Sequence, residues 1–161
     1  MTLIPNSLCA VGAHGWDHPD WVGDFYPDEM PPEWRLSYYN HTFTCCYLDY
    51  AEWAQQDEAT LAQWVDDTLP RFRLVLQAPA SPLSVQDSAS LAILAPRLGV
   101  LADAASLSEQ IIWLPDEPDW RPLAMQIQAR AAQGVPSYVL SRESRLSQLQ
   151  QAVTLVEVLG Y

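Results

Sequence analysis

The sequence predicts an α/β protein built on a mostly parallel sheet. Five short apolar runs alternate with five helical patterns over 161 residues, without an internal repeat or a linker. This alternation is typical of a single domain in which helices connect parallel strands. Hydrophobic residues make up 49% of the chain, enough to bury a core. We therefore treat residues 1–161 as one domain.

The predicted strands are short apolar runs bounded by turn residues. The first, residues 8–12, runs into a glycine-rich loop, and the third, residues 72–79, is closed by proline. The remaining three cover residues 44–50, 110–115 and 137–141. Strand alternation places the adjacent Cys45 and Cys46 on opposite faces, and we expect the three cysteines to be buried, reduced thiols.

The predicted helices follow from capping residues and apolar periodicity. Prolines open the first helix, residues 31–40, because proline is tolerated in a first turn. Asp57 caps the second, which extends to Leu69 with one apolar face. The third region is broken at Pro96 and Gly99. It covers residues 88–105, and the last two helices cover residues 119–133 and 144–159.

The loop of residues 12–27 is the most informative segment of the chain. It holds three glycines, four aromatic residues and two histidines directly after the first strand. Large aromatics in a loop need a ligand or a core to cover them. We predict a ligand-binding loop in which the contact residues are His14, Trp16, Asp17, Trp21 and Tyr26. The alternative is that these aromatics only cover the end of the core.

Residues at the ends of other strands extend this candidate site. Ligands of parallel sheets bind at the carboxyl ends of the strands. We therefore add Asp49, Gln77 and Arg142 to the predicted ligand-binding set. The Arg142 guanidinium is suited to a carboxylate or a phosphate.

No metal site and no cofactor are predicted. His14 and His18, with Asp17 and Asp20, have ligand types that suit a divalent ion. However, Pro19 lies in the same loop, and nothing fixes the spacing of these side chains. The chain lacks a dinucleotide or phosphate-loop fingerprint and a nucleophile elbow, and it has no lysine for a Schiff base.

The charge of the chain restricts its partners. Eight arginines against 20 acidic residues give a formal net charge of −12. This charge disfavours nucleic acids and anionic membranes and favours a basic protein partner. No apolar run is long enough to span a membrane, and no signal segment is evident, so we expect a cytoplasmic protein.

Several motifs together resemble a known family. They are Gly12-x-x-Gly15-Trp16, Asp20-Trp21, Gly23-x-Phe25-Tyr26-Pro27, Leu36-x-Tyr38-Tyr39 and Phe43, with weaker likeness through Trp113-Leu114-Pro115. In these motifs the chain is similar to the domain of unknown function 72 family, the YecE-like proteins.

The resemblance implies a TIM-barrel-like fold and no established reaction. A full barrel needs roughly 200 residues or more. We therefore expect a shortened barrel of about five parallel strands that lacks its final strands. A flavodoxin-like doubly wound sheet is the alternative.

Polar positions of the family pattern differ in this chain. The resemblance implies Glu-x-Asn on the second strand, lysine after the third and Glu-Phe-Arg on the fifth. Here Tyr47 with Asp49, Gln77, and the Leu-Ser-Arg of residues 140–142 stand at those positions. We therefore expect a non-catalytic or degenerate member that binds a small molecule or a protein through the aromatic loop.

Two further expectations concern assembly and chemistry. A homodimer would cover the open edges of an incomplete sheet. The alternative function is a hydrolase-type enzyme at the strand ends, using His14, Asp17, Asp49 and Arg142. That alternative requires these side chains to converge around one pocket.

Overall fold

The computed structural model describes residues 8–103 and 110–161, which form one parallel sheet flanked by helices. The six strands of this part are β1 (Cys9–His14), β2 (Cys45–Leu48), β3 (Arg73–Gln77), β4 (Leu98–Ala102), β5 (Ile111–Trp113) and β6 (Ser137–Ser141). The α-helices of the same described residues are α1 (Arg35–Thr42), α2 (Tyr50–Ala54), α3 (Glu58–Asp66), α4 (Val85–Leu94), α5 (Trp120–Ala132) and α6 (Leu146–Leu159). None of these helices has the length and apolarity that crossing a bilayer requires.

The order of the strands identifies the way the sheet is wound. The sheet runs β4-β3-β2-β1-β6-β5, and every pairing is parallel. Each connection from β1 to β2, β2 to β3, β3 to β4 and β5 to β6 moves to the neighbouring strand in the same direction along the sheet. Because such connections are right-handed, the helices in them lie on one face of the sheet. This order is compatible with the TIM-barrel-like fold, in which the last strand also pairs with the first. It differs from a flavodoxin-like sheet, which has helices on both faces.

Strand alternation divides the interior into two layers. The outer layer packs strand residues such as Val11, Cys46 and Leu74 against the helices. The fully or nearly buried members of the inner layer all come from strands: Ala10, Cys45, Tyr47, Val75, Ala102, Ile111, Tyr138 and Leu140. Cys45 and Cys46 therefore lie on opposite faces, as predicted. Both are buried thiols outside any disulfide, as is Cys9.

The sheet curls into a half-barrel around the inner layer. Tyr138 on β6 reaches toward Gly99 on β4, although three strands separate β6 from β4 in the sheet. A Cβ atom added at Gly99 would lie 2.6 Å from the Tyr138 hydroxyl oxygen. The inner face is thus narrow enough for one tyrosine side chain to cross it.

A tyrosine side chain is inserted between the two central strands. The Tyr39 hydroxyl accepts a hydrogen bond from the Ala13 N–H at 2.7 Å and donates one to the Cys45 carbonyl at 2.7 Å. Gly12 lies beside this contact, and a Cβ atom there would lie 1.8 Å from the Cys45 carbonyl oxygen. Only glycine allows this close approach of β1 to β2.

Two predictions about the strands were wrong. In the part of the chain that the structure describes, the sheet has six strands rather than five, because β4 lies within the region predicted as a helix over residues 88–105. Helix α4 ends at Leu94, and a 3-10 turn, Ala95–Arg97, leads into β4. Proline in that turn ends the helix and allows the extended chain to follow. Residues 104 and 105 of the predicted helix lie outside the described residues.

The expectation that the final strands are missing also needs correction. The last strand, β6, pairs with β1, in the position of a barrel's final strand. Within the described residues, the sheet instead ends at β4 on one side and β5 on the other. Relative to a closed barrel, the gap lies between these two strands.

Candidate functional site at the carboxyl ends of the strands

His14 is the last residue of β1, and neighbouring loops hold its backbone in place. Its N–H donates to the Ser144 hydroxyl at 3.2 Å. Gly15 follows in the left-handed region, with φ of 74°, and its N–H donates to the Tyr47 carbonyl at 2.9 Å. The left-handed turn is one that glycine adopts without a steric cost. It directs the chain away from the sheet directly after His14.

Two carboxylates face the His14 ring. The Nε2 atom of His14 lies 2.5 Å from Glu52 Oε1 and 3.4 Å from Asp49 Oδ2. Asp49 precedes α2 and Glu52 lies in its first turn, and Glu52 Oε1 also accepts the Asp49 N–H at 3.0 Å. The three side chains are 31%, 41% and 44% exposed for His14, Glu52 and Asp49. They are therefore fixed by the fold and still accessible to a ligand.

Aromatic rings connect this cluster to Arg142. The Tyr47 ring meets the His14 ring edge-on at 5.2 Å and the Trp113 ring edge-on at 5.1 Å. The Arg142 guanidinium lies 4.0 Å from the centre of the Trp113 ring, within cation–π range. Burial, and then the Asp49 carboxylate, raise the pKa of Tyr47 to about 12, and the charge of Arg142 opposes the shift. The Tyr47 hydroxyl is therefore neutral at physiological pH.

We call this surface the strand-end face. It consists of His14, Tyr47, Asp49, Glu52, Trp113 and Arg142, from the ends of β1, β2, β5 and β6 and the first turn of α2. It presents two carboxylates at one side and a guanidinium at the other. Within residues 8–103 and 110–161, no carboxylate lies within salt-bridge distance of that guanidinium.

Gln77 lies at the end of β3, and its polar groups serve the fold. Its side-chain oxygen accepts the Tyr50 N–H at 3.0 Å, and its carbonyl accepts the Trp53 indole N–H at 2.9 Å. Together the two bonds attach α2 to the sheet. Of the predicted site residues, Gln77 is thus a support for the segment that carries Asp49 and Glu52.

The central aromatics of the glycine-rich loop lie in the packed interior. Trp21 is 4% exposed and Tyr26 is 1% exposed. The Trp21 indole N–H donates to the Ser144 carbonyl at 3.1 Å, and the Tyr26 hydroxyl donates to the Trp16 carbonyl. Burial raises the pKa of Tyr26 well above its usual value. These two predicted ligand contacts therefore present almost no surface to a ligand.

Trp16 and Asp17 lie beside the strand-end face. With His14, Glu52 and Trp64, they line an open cleft of about 340 Å³. The Trp16 ring packs edge-on against Trp64 at 4.9 Å, and the Asp17 carboxylate pairs with Arg35. Asp17 is therefore near His14 but is already neutralised by an arginine.

His18 does not join His14. Its Nε2 atom lies 2.9 Å from the Gly15 carbonyl oxygen, and its ring packs 4.2 Å from Trp21. Burial is the main cause that lowers the pKa of His18. The carboxylates gathered around His14 come instead from the chain that follows β2.

Residues 10–88 match the model of a family described as protein of unknown function DUF72. Over these residues, slightly less than half of the chain, the sequence is similar to the DUF72 family. The match confirms the resemblance predicted from the glycine and aromatic motifs. It includes His14, Tyr47, Asp49 and Glu52, whereas Trp113 and Arg142 lie beyond it.

Two solved structures of DUF72 proteins match most of this chain. One, from Enterococcus faecalis V583, has a TM-score of 0.56 and 9% identity, over 94% of this chain and 94% of that chain. Another, from Thermotoga maritima MSB8, has a TM-score of 0.49 and 13% identity, over 92% of this chain and 96% of that chain. The E. faecalis likeness supports the fold alone. Among curated proteins, no sequence matches this chain.

Three residues of the strand-end face were not in the predicted site. Glu52 stands three residues after Asp49, a spacing typical of a helix capping box, and recognising that box would have placed it beside Asp49. Tyr47 precedes Asp49 by two residues in the strand predicted over residues 44–50, and strand alternation applied there would have placed both side chains on one face. Trp113 could be assigned to the site only from the strand order, because β5 carries it beside β6. Hydrophobic periodicity does not reveal that order.

Proposed function

We propose that this protein binds a small polar ligand at its strand-end face. The observation that carries the proposal is the convergence of His14, Asp49 and Glu52, whose nitrogen and oxygen ligand atoms all lie within 4.8 Å of one another. These side chains are partly exposed, and they lie at the end of the sheet where parallel α/β proteins bind ligands.

The charges on the face define the chemistry of the ligand. Arg142, which has no salt bridge with a carboxylate of residues 8–103 and 110–161, can form a bidentate contact with a carboxylate or phosphate group. The carboxylates of Asp49 and Glu52 accept hydrogen bonds from hydroxyl or amino groups. Trp113 offers a flat apolar surface between the two charged sides. The favoured ligand therefore carries one anionic group together with hydroxyl or amino groups.

In this proposal the aromatic loop supports the site instead of contacting the ligand. Trp21 bonds the Ser144 carbonyl, and the Ser144 hydroxyl accepts the His14 N–H. The packed loop thus holds the segment that positions His14. A preformed site of this kind lowers the entropic cost of binding.

A thermal-shift screen of the full chain tests the proposal. The probes are small carboxylates, phosphates, amines and polyols. A ligand at about 100 times its Kd adds about 2.7 kcal/mol to the free energy of unfolding. For a chain of this size, that corresponds to a rise in Tm of roughly 5–10 °C.

Charge-neutral variants show where a stabilising compound binds. Arg142→Gln and Asp49→Asn are expected to abolish the Tm rise. Arg71→Gln and Glu157→Gln, with exposed side chains outside the strand-end face, are the matched controls and are expected to keep it. The proposal fails if no probe stabilises the protein or if all four variants respond equally.

A hydrolase-type enzyme is the second candidate. It is favoured by the short contact between His14 and Glu52, since an imidazole paired with a carboxylate can act as a general acid or base. Chromogenic esters, phosphate esters and glycosides provide the assay. Turnover that is lost in His14→Gln but kept in His41→Gln would support this candidate, and turnover unaffected by His14→Gln would exclude it.

A further inference from the structure

We infer that His14, Asp49 and Glu52 form a binding site for a divalent transition-metal ion. The inference rests on the function proposed above and deepens it, because the ion would occupy one side of the strand-end face. One imidazole nitrogen and two carboxylate oxygens form a donor set suited to ions such as Mn²⁺ and Zn²⁺.

The spacing of the donor atoms fits a single ion. Two ligand atoms bound about 2.1 Å from one ion lie roughly 3.0–3.5 Å apart. The separation of His14 Nε2 and Asp49 Oδ2, 3.4 Å, already falls in this range. His14 Nε2 and Glu52 Oε1 lie 2.5 Å apart, so this contact needs to open by less than about 1 Å. A rotation of the partly exposed Glu52 side chain is sufficient.

The fold holds the donors independently of the ion. His14 ends a central strand, and Asp49 and Glu52 begin α2, which Gln77 attaches to the sheet through two hydrogen bonds. Three protein ligands leave further coordination positions, as catalytic and substrate-binding metal sites do. The adjoining cleft of about 340 Å³ provides space for water or for part of a ligand at those positions.

Titration of the chelator-treated full chain with MnCl₂ or ZnCl₂ alone tests the inference. Isothermal titration calorimetry gives the stoichiometry, and the electron paramagnetic resonance signal of Mn²⁺ reports its coordination. We expect one ion per chain. Replacement of an outer partner of a metal ligand typically weakens binding about 10–100-fold, so removal of a ligand is expected to cost at least about 100-fold.

Matched variants locate the ion. His14→Gln and Glu52→Gln should lose binding, and Glu52→Gln retains an amide oxygen that can accept the Asp49 N–H. His41→Gln and Glu157→Gln, which replace a histidine and a glutamate elsewhere on the surface, should bind as the unaltered protein does. Circular dichroism and the unfolding midpoint of each variant show whether it remains folded. Equal binding by folded His14→Gln and His41→Gln would overturn the inference.

Arg142→Gln distinguishes this inference from the proposed function. It should retain the metal ion and lose the anionic small ligand. Small-ligand binding without metal binding would refute the metal site and leave the proposed function intact. Metal binding that depends on His14 and Glu52, without any small-ligand binding, would refute the proposed function alone.

Discussion

Tyr39 shows how one side chain can replace part of the hydrogen bonding between two strands. Its ring is fully buried, and its hydroxyl bonds both the Ala13 N–H and the Cys45 carbonyl. Tyr39→Phe leaves two buried backbone groups without this partner and is expected to lower the free energy of unfolding by about 2–4 kcal/mol. Urea denaturation measures the change. Tyr38→Phe is the control, because Tyr38 is 38% exposed, and equal stabilities of the two variants would contradict this role.

His18 gives the loop a predictable dependence on pH. Burial lowers its pKa below the ordinary value of 6.5, so the unfolded chain binds more protons than the folded chain between the two pKa values. The stabilisation is complete above pH 6.5 and is lost as the pH falls through the folded-state pKa. Unfolding measured from pH 7.5 to pH 5 should show a smaller loss of stability in His18→Gln than in the unaltered protein. His41→Gln is the control, and an unchanged slope in His18→Gln would refute the assignment.

At the scale of elements, the contact between β4 and β6 tests the curl of the sheet. Gly99→Ala places a Cβ 2.6 Å from the Tyr138 hydroxyl oxygen and 3.1 Å from Arg73 Cβ. Overpacking of this kind costs about 1–3 kcal/mol. The cost should be smaller in a Tyr138→Phe background, which removes the nearest atom. A double-mutant cycle by urea denaturation measures the coupling, and strictly additive effects would indicate that β4 and β6 do not meet across the interior.

The elements that the sequence predicts well are those with strong local signals. Asp57 accepts the Thr60 N–H at 2.7 Å and begins α3, as its capping role predicts. By contrast, β4 is only five residues long, contains Gly99 and follows a helix without a long loop. Its short apolar pattern is equally typical of a helix and of a strand. Only its pairing with β3 shows that it is a strand.

The candidate site was predictable in its place and less so in its members. Ligands of parallel sheets bind at the carboxyl ends of the strands, and this rule predicted His14, Asp49 and Arg142 as site residues. Composition could not show that Trp21 and Tyr26 pack inward, because aromatic residues that bind a ligand and aromatic residues that cover the core give the same sequence pattern. The connection of Tyr47 to Trp113 depends on contacts between strands far apart in the chain.

At the scale of the whole molecule, the half-barrel predicts a gradient of backbone stability. β1 and β2 lie at the centre of the sheet, whereas β4 and β5 are the outermost of the strands that the structure describes. Amide hydrogen exchange should therefore be slowest at Val11 and Cys46 and faster at Leu101 and Ile112. An outermost strand is paired on one side only, so its local unfolding breaks fewer contacts. Light scattering of the same sample checks the homodimer expectation. Equal protection of β5 and β1 in a monomer would contradict the open edge.

An NMR titration of the ¹⁵N-labelled full chain, with pooled small carboxylates and phosphates, measures directly where this protein binds ligands. If the ligand binds at the strand-end face, the amides of His14, Asp49 and Arg142 should show chemical-shift changes. These changes should disappear in Arg142→Gln. Changes confined to the surface groove beside the exposed Trp34 and Tyr38 would contradict it and place the binding site on α1.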